Sequence, residues 1–75
     1  MADKPRIVVD PDVCHGRPIV AGTRMRVIDV LEMLAGGASE DEILADFDFL
    51  EREDIRACLA YAAAAVDHGI VQAAA

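Results

Sequence analysis

The sequence contains no tryptophan, and its only aromatic residues are Phe47, Phe49 and Tyr61. Hydrophobic residues make up 55% of the 75, but 14 of them are alanines, which have little side chain to bury. The core must therefore come from Val, Ile and Leu, and so small a core rarely supplies more than about 3–5 kcal/mol of stability. We expect one domain over residues 1–75 that is completed by oligomerisation, with a homodimer as the first expectation.

Only two cysteines are present, Cys14 and Cys58, and no spacing between cysteines is repeated. This excludes a disulfide framework, and free thiols suit a reducing compartment. No apolar signal segment follows Met1, and no run of about 18 apolar residues occurs anywhere in the chain. We therefore expect a soluble, cytoplasmic protein with no membrane partner.

Basic residues are scarce beyond residue 26. Residues 27–75 hold two arginines against eleven acids, a net charge of −9, whereas residues 1–26 hold five basic residues against three acids. The isoelectric point near 4.5 argues against broad nucleic-acid binding, because neutralising phosphates supplies most of that affinity. Any contact with an anionic partner should come through residues 1–26, and the acidic remainder suits either solvent or a basic protein surface.

Short apolar segments separated by glycine and proline predict a β arm over residues 1–26. We predict strands at residues 7–9 and 18–20 and a third at residues 25–27. Pro18 has no N–H to donate, so its strand should lie at an edge or begin there.

Beyond the arm, the spacing of apolar residues changes to that of helices. A first helix should start near Val27 and stop at Gly36-Gly37. A second should start at Ser39, which forms a capping box with Glu42, and end near Asp48. The inward-facing residues of these two helices should be Val27, Val30, Leu31, Leu34, Ile43, Leu44 and Phe47.

A third and longest helix should run from about Glu51 to His68, with Gly69 as its stop. Glutamate at its start is a weak N-cap. Alanines at 60–65 let another helix approach closely, within the subunit or across a dimer. Cys58 should be a small core residue, and the apolar stripe should be Ile55, Leu59, Ala62, Ala63, Val66 and Ile70. The fold class is mainly α: a three-helix, helix-turn-helix-like bundle over residues 27–75 with a short N-terminal β arm.

The stretch CHGRPIVAGTR at residues 14–24 has several possible meanings. Adjacent Cys14 and His15 lack the paired spacing of zinc ligands, so we predict no metal. A cysteine nucleophile needs a base within hydrogen-bond reach, and nothing indicates that His15 faces Cys14, so we predict no catalytic residues and no enzyme. The two glycines fit neither phosphate-loop pattern, and we predict no cofactor.

The same stretch is better understood as a shaped arm that presents arginines. Gly16, Pro18 and Gly22 are predicted to set its backbone, because glycine accepts unusual angles and proline fixes one. Thr23 should tie down the turn and is also a candidate, with the arginines, for contact with a partner or nucleic acid. For Arg24 a structural ion pair is favoured over a partner contact, whereas Arg17 and Arg26 are expected to be exposed; His15 should be a solvent-facing turn residue.

Arg52 and Arg56 are further candidates for binding a partner or nucleic acid, since they lie where a recognition helix would contact bases. The segment is EREDIR, however, and its acids outnumber these two arginines. Acidic side chains repel phosphates, so the third helix is poorly suited to the major groove. A dimer with arm arginines on the DNA backbone remains an alternative.

Four motifs stand out along the chain: Cys14-x-Gly16-x-Pro18, Gly22-Thr23-Arg24, Ser39-x-x-Glu42 after a glycine turn, and Glu53-Asp54-Ile55-x-x-x-Leu59. Through these motifs most of the chain, about residues 6–66, resembles the bacterial and archaeal domain-of-unknown-function 433 family, which is related to VapB-type antitoxins.

The resemblance implies a winged or homeodomain-like helix-turn-helix fold. It also implies an antitoxin that neutralises a PIN-like ribonuclease toxin, whose active site holds a divalent metal on carboxylates. Arg17, Arg24 and Arg26 would then compete with that metal. Such a protein would also be expected to bind its own promoter DNA as a dimer. A stand-alone DNA-binding regulator and a protein-interaction module without a nucleic-acid role are the alternatives.

Overall fold

A computed structural model describes residues 5–68 of the chain. The molecule is mainly helical, with three helices and a two-stranded antiparallel sheet, and a short 3₁₀ turn at Cys14–Gly16 joins the strands. The elements are β1 (Ile7–Val9), β2 (Pro18–Val20), α1 (Val27–Ala35), α2 (Glu40–Asp46) and α3 (Arg52–His68). No helix within the described residues is both long and apolar enough to cross a membrane.

The sheet pairs Ile7 with Val20 and continues to Pro18, which begins β2 as expected. The predicted third strand at residues 25–27 is wrong, because that segment contributes only an isolated bridge between Ile19 and Arg26. Arg26 is extended but serves as the N-cap of α1, since its backbone N–H donates to the Asp29 carboxylate at 3.3 Å. Capping therefore starts a helix where the pattern predicted a strand.

The predicted boundary between α1 and α2 is confirmed. Ser39 Oγ accepts from the Glu42 N–H at 3.1 Å, and the Glu42 carboxylate accepts from the Ser39 N–H at 2.8 Å. These two bonds form a complete capping box. Gly37 has a φ of 102°, a left-handed angle that suits glycine after the end of a helix.

The predicted end of α2 near Asp48 is wrong by two residues. The helix ends at Asp46, and Phe47 leaves it with a φ of −127° and a ψ of 80°. The Phe47 N–H still bonds to the Ile43 carbonyl at 2.9 Å, which closes the last turn. The Phe47 side chain is half-buried against the core, so the chain turns here to keep that ring inside.

The core draws on both strands and helices, because β2 is as buried as any helix. Cys58 is fully buried, as predicted. The buried apolar residues are Ile19, Val20, Val27, Val30, Ile43, Leu50, Ile55 and Cys58. Residues 5–26 are therefore not detached from the helices, since β2 helps form the core.

The apolar stripe predicted for α3 is buried only in its first half. Ile55 is fully buried, but Leu59, Ala63 and Val66 are exposed, and Ile70 lies outside the described residues. Within residues 5–68 no fourth helix or second sheet covers the second half of α3. The stripe therefore continues beyond the core onto the surface.

Candidate partner-binding site

The turn between β2 and α1 is held by hydrogen bonds that its own residues make. Thr23 Oγ1 donates to the Val20 carbonyl at 2.8 Å and accepts from the Met25 N–H at 2.9 Å, which confirms its predicted role in the turn. Gly22 has a φ of 78°, so a residue with a Cβ would be strained there. These contacts fix the path of the backbone on both sides of Arg24.

Arg24 lies at the surface on this turn. Its carbonyl accepts a hydrogen bond from Cys14 Sγ at 3.4 Å, which joins the turn to the 3₁₀ segment. Its side chain is exposed and makes no hydrogen bond or ion pair with any residue between 5 and 68. The structural ion pair expected for Arg24 is therefore absent from the described part of the chain.

Arg26 forms that ion pair instead. Its Nε and Nη2 donate to the two Asp29 carboxylate oxygens at 3.0 and 2.7 Å, one helical turn away. The hydrogen bonds from Arg26 lower the pKa of Asp29 below its ordinary value, because they stabilise the charged carboxylate. Arg26 was expected to be exposed; it is only partly so, and its side chain pairs with Asp29 at the start of α1.

The 3₁₀ turn has unusual backbone angles. Cys14, His15 and Gly16 all have positive φ, at 52°, 59° and 78°. Only Gly16 adopts such an angle without strain, which agrees with the structural role predicted for it. His15 is exposed, as expected, and the Cys14 thiol bonds to the Arg24 carbonyl rather than to His15. Within residues 5–68 no group of three or more potential ligands is placed to hold a metal ion.

The two arginines of α3 differ from each other. Arg52 donates from its two terminal nitrogens to Glu40 and Asp41, so it joins the start of α3 to the start of α2. Arg56 is exposed and has no ion pair within the described residues. Of the arginines proposed for partner binding, Arg17, Arg24 and Arg56 thus carry charges that the described fold does not neutralise.

Arg6 is a basic residue whose role the sequence analysis missed. Its Nη1 donates to Glu51 and to Asp54, both at 2.9 Å, and so ties the start of β1 to the start of α3. The Asp54 carboxylate also accepts a hydrogen bond from the Glu51 N–H at 2.9 Å. This bond helps to cap the start of α3, where Glu51 is a weak N-cap residue. The spacing Glu51-x-x-Asp54 could have indicated this cap, but no local signal points to Arg6, 45 residues earlier.

The structure does not bring the predicted binding residues into one site. Arg24 lines a cavity of about 370 Å³ on the arm, with Val8, Asp10 and Thr23 among its other walls. Arg17 lines a separate apolar groove of about 260 Å³ between α1 and the second half of α3. These are two surfaces, one of mixed polar and apolar residues and one mostly apolar, and each needs its own explanation.

The two thiols should differ sharply in reactivity. Burial, followed by the nearby Asp54 charge, raises the pKa of Cys58 to about 11, whereas Cys14 is only half-buried. A thiol-modifying reagent should label Cys14 alone in the native protein and both cysteines in denaturant, as counted by mass spectrometry. Rapid native labelling of Cys58 would contradict the buried position of α3.

The raised pKa of Cys58 also determines whether the stability of the protein rises or falls at alkaline pH. An unfolded cysteine loses its proton near its ordinary pKa of 9.0, but folded Cys58 holds its proton up to about 11. The folded state therefore binds more protons between these values, and stability should fall as pH rises from about 9 to about 11. Cys58→Ala should reduce this decline in urea unfolding measured by circular dichroism.

Comparison with known proteins places this geometry in a family. The profile of the protein family of unknown function DUF433 matches residues 7–62. An uncharacterised protein, y4eO, of Sinorhizobium fredii is 38% identical over 58 residues, which are 77% of this chain but only 26% of that protein. The chain thus spans about a quarter of the length of this relative.

A solved structure gives the same assignment. The crystal structure of a DUF433 member protein from Anabaena variabilis superposes with a TM-score of 0.79 at 30% identity. The match covers 81% of this chain and 60% of that one, so part of the neighbour has no counterpart here. The fold, the matched profile and these likenesses agree with the resemblance stated from the sequence, and the chain belongs to the DUF433 family.

Proposed function

We propose that this protein is an antitoxin-like binding protein that neutralises a PIN-like ribonuclease toxin, and that it acts by binding and not by catalysis. The observation that carries the proposal is Arg24, whose guanidinium pairs with no residue between 5 and 68 and lies on a tightly held turn. The kind of partner is what the resemblance to a family related to VapB-type antitoxins implies. Within the described fold three other arginines already pair with carboxylates, namely Arg6, Arg26 and Arg52. Few cations are therefore available there to contact such a partner.

The turn is suited to inserting a cation into an acidic site. Its backbone is fixed by Thr23 and by the Cys14 thiol, so little conformational freedom is lost when the turn docks. An arginine can donate two parallel hydrogen bonds to a carboxylate. Placed among the carboxylates of a PIN-like active site, Arg24 would compete with the divalent metal and leave the ribonuclease inactive.

Charge also favours docking through the arm. Residues 27–75 carry a net charge of −9 and would be repelled by the acidic active site of such a toxin. Residues 1–26 carry a net charge of +2 and include both Arg17 and Arg24. The arm should therefore face the toxin active site, with the acidic helices directed away from it.

The test is coexpression with the product of the neighbouring gene, which we expect to be a PIN-like ribonuclease. The wild-type chain should copurify with it and suppress its ribonuclease activity, whereas Arg24→Glu should lose at least about 100-fold in affinity because it places like charges together. Arg56→Glu is the matched control, since it makes the same change at another exposed, unpaired arginine. Equal binding by wild type and Arg24→Glu would contradict the proposed role of Arg24, and absence of copurification would contradict the function.

A promoter-binding regulator is the second candidate, favoured by the order of the helices. A short α2, a loop and a longer α3 with exposed Arg56 follow the order of a helix-turn-helix, and we propose a homeodomain-like or winged version of it. Glu51 and Glu53 at the start of α3 oppose its insertion into a major groove. A gel shift with upstream DNA at two salt concentrations tests this candidate, because phosphate contacts must weaken as salt rises.

A further inference from the structure

The apolar groove between α1 and α3 is not used by the proposed function. Its floor and walls include Ile28 and Leu31 on α1 and Tyr61, Ala65 and Val66 on α3. Ile28, Tyr61 and Val66 are 41%, 39% and 61% exposed, high values for large apolar side chains grouped together. At about 260 Å³ the groove is below the usual size of a small-molecule pocket, so protein side chains fit it better than a cofactor.

The groove continues the core-facing side of α3. Residues seven apart share a helix face, so Ala62 follows Ile55 and Ala65 follows Cys58. Ile55 and Cys58 are fully buried, whereas Ala65 is exposed. The same face that forms the core in the first half of α3 is thus left uncovered in the second half within the described structure.

We infer that a second copy of this chain occupies the groove, with the second half of α3 from each copy packed against the other across a two-fold axis. The first argument is charge. The chain carries a net charge of −7, so two copies repel each other least where they meet through a surface poor in acids. Residues 57–66 contain no charged side chain, although the chain has 14 acids in total.

The second argument is complementarity at the rim of the groove. Arg17 lines the groove, and Asp67 follows Val66 at the exposed end of α3. Neither side chain forms an ion pair with another described residue. Under two-fold symmetry any contact occurs twice, and the inferred dimer sets Arg17 of each copy against Asp67 of the other, so that two opposite-charge pairs fix the direction of approach. The small alanines between them let the two helices approach closely.

This surface is separate from the turn that carries Arg24, so the inference goes beyond the proposed function and is tested on the chain alone. Sedimentation equilibrium should show a dimer with a dissociation constant on the order of micromolar. Ala65→Glu, which places a charge in the groove, should raise that constant at least about 100-fold. Ala60→Glu is the matched control, because it makes the same change on an exposed position of the opposite face of α3 and should leave the dimer intact.

A charge exchange tests the geometry. Arg17→Glu and Asp67→Arg alone should each weaken the dimer by at least about tenfold, and the double variant should recover most of that loss. Circular dichroism should show the same helix content in every variant. A monomeric wild-type chain would overturn the inference, as would equal effects of Ala65→Glu and Ala60→Glu. If the chain is monomeric and Ala65→Glu abolishes its copurification with the toxin, the groove is a binding site for the toxin. In that case the proposed function survives and this inference fails.

Discussion

Ile55→Ala should leave a large fraction of the protein unfolded at room temperature. Ile55 is fully buried and lies where the first half of α3 meets the core. Truncating such a residue costs about 2–5 kcal/mol, because apolar burial is lost and a cavity remains. A chain of this size has only about 3–5 kcal/mol from its core, so the substitution removes most of the available stability. Urea unfolding followed by circular dichroism measures the loss.

Leu59→Ala is the control, one turn further along the same helix. Leu59 is 44% exposed, so its truncation should cost no more than about 1 kcal/mol. Both variants should be compared at one fixed protein concentration, because association stabilises the folded state by mass action. Similar losses from the two substitutions would contradict the division of α3 into a buried first half and an exposed second half.

Asp54→Ala should have the second largest effect on stability, although the residue is polar. Asp54 is 7% exposed, accepts from the Glu51 N–H, and pairs with Arg6. Loss of a helix cap costs about 1–2 kcal/mol, and loss of the link to β1 adds to this cost. The midpoint of urea unfolding should fall clearly, and the N–H groups at the start of α3 should exchange faster with solvent.

Two further variants separate the contributions of Asp54. Asp54→Asn keeps an oxygen that can accept from the Glu51 N–H but removes the charge that faces Arg6, so it should lose less stability than Asp54→Ala. Glu53→Ala removes a neighbouring acid that is exposed and forms no ion pair within the described residues, and it should change little. If Glu53→Ala were as costly as Asp54→Ala, general charge at the helix start would explain the effect instead of the specific contacts.

The stability of the start of α3 bears on the proposed interactions. Arg6 and Arg52 hold this end of the helix against β1 and α2, so the second half of α3 projects from a fixed base. The groove is lined by that second half, and its shape depends on the base staying in place. Asp54→Ala should therefore weaken self-association as well as folding.

Much of the fold could be predicted from short-range chemistry. The start of α1 at Val27 and the cap at Ser39 are correct because each depends on residues within four positions of one another. The first two strands are correct because glycine and proline bound their short apolar segments, although the strands pair residues nine or more positions apart. The errors at residues 25–27 and Asp48 have one cause. In both places a hydrogen bond, from the Arg26 N–H to Asp29 or from the Phe47 N–H to Ile43, sets the backbone, and the spacing of apolar residues does not reveal it.

The binding residues were harder to predict, because a sequence does not show which arginines pair with carboxylates. Arg26 pairs with Asp29, whereas Arg24, two positions earlier, has no ion pair with any residue between 5 and 68. A local rule could have anticipated Arg26 and Asp29, which are three residues apart. No such rule connects Arg6 to Asp54, and the groove beside Arg17 exists only because α1 and α3 leave it open.

Composition and local spacing were thus sufficient to specify a small acidic protein, the order of its elements and most of its caps, because hydrogen bonds over a few residues depend on neighbouring side chains alone. The availability of each arginine and the exposed half of α3 depended on how distant segments pack. Ion pairs and grooves form between surfaces that meet only after folding, and one surface residue gives no sign of which other residue it will face.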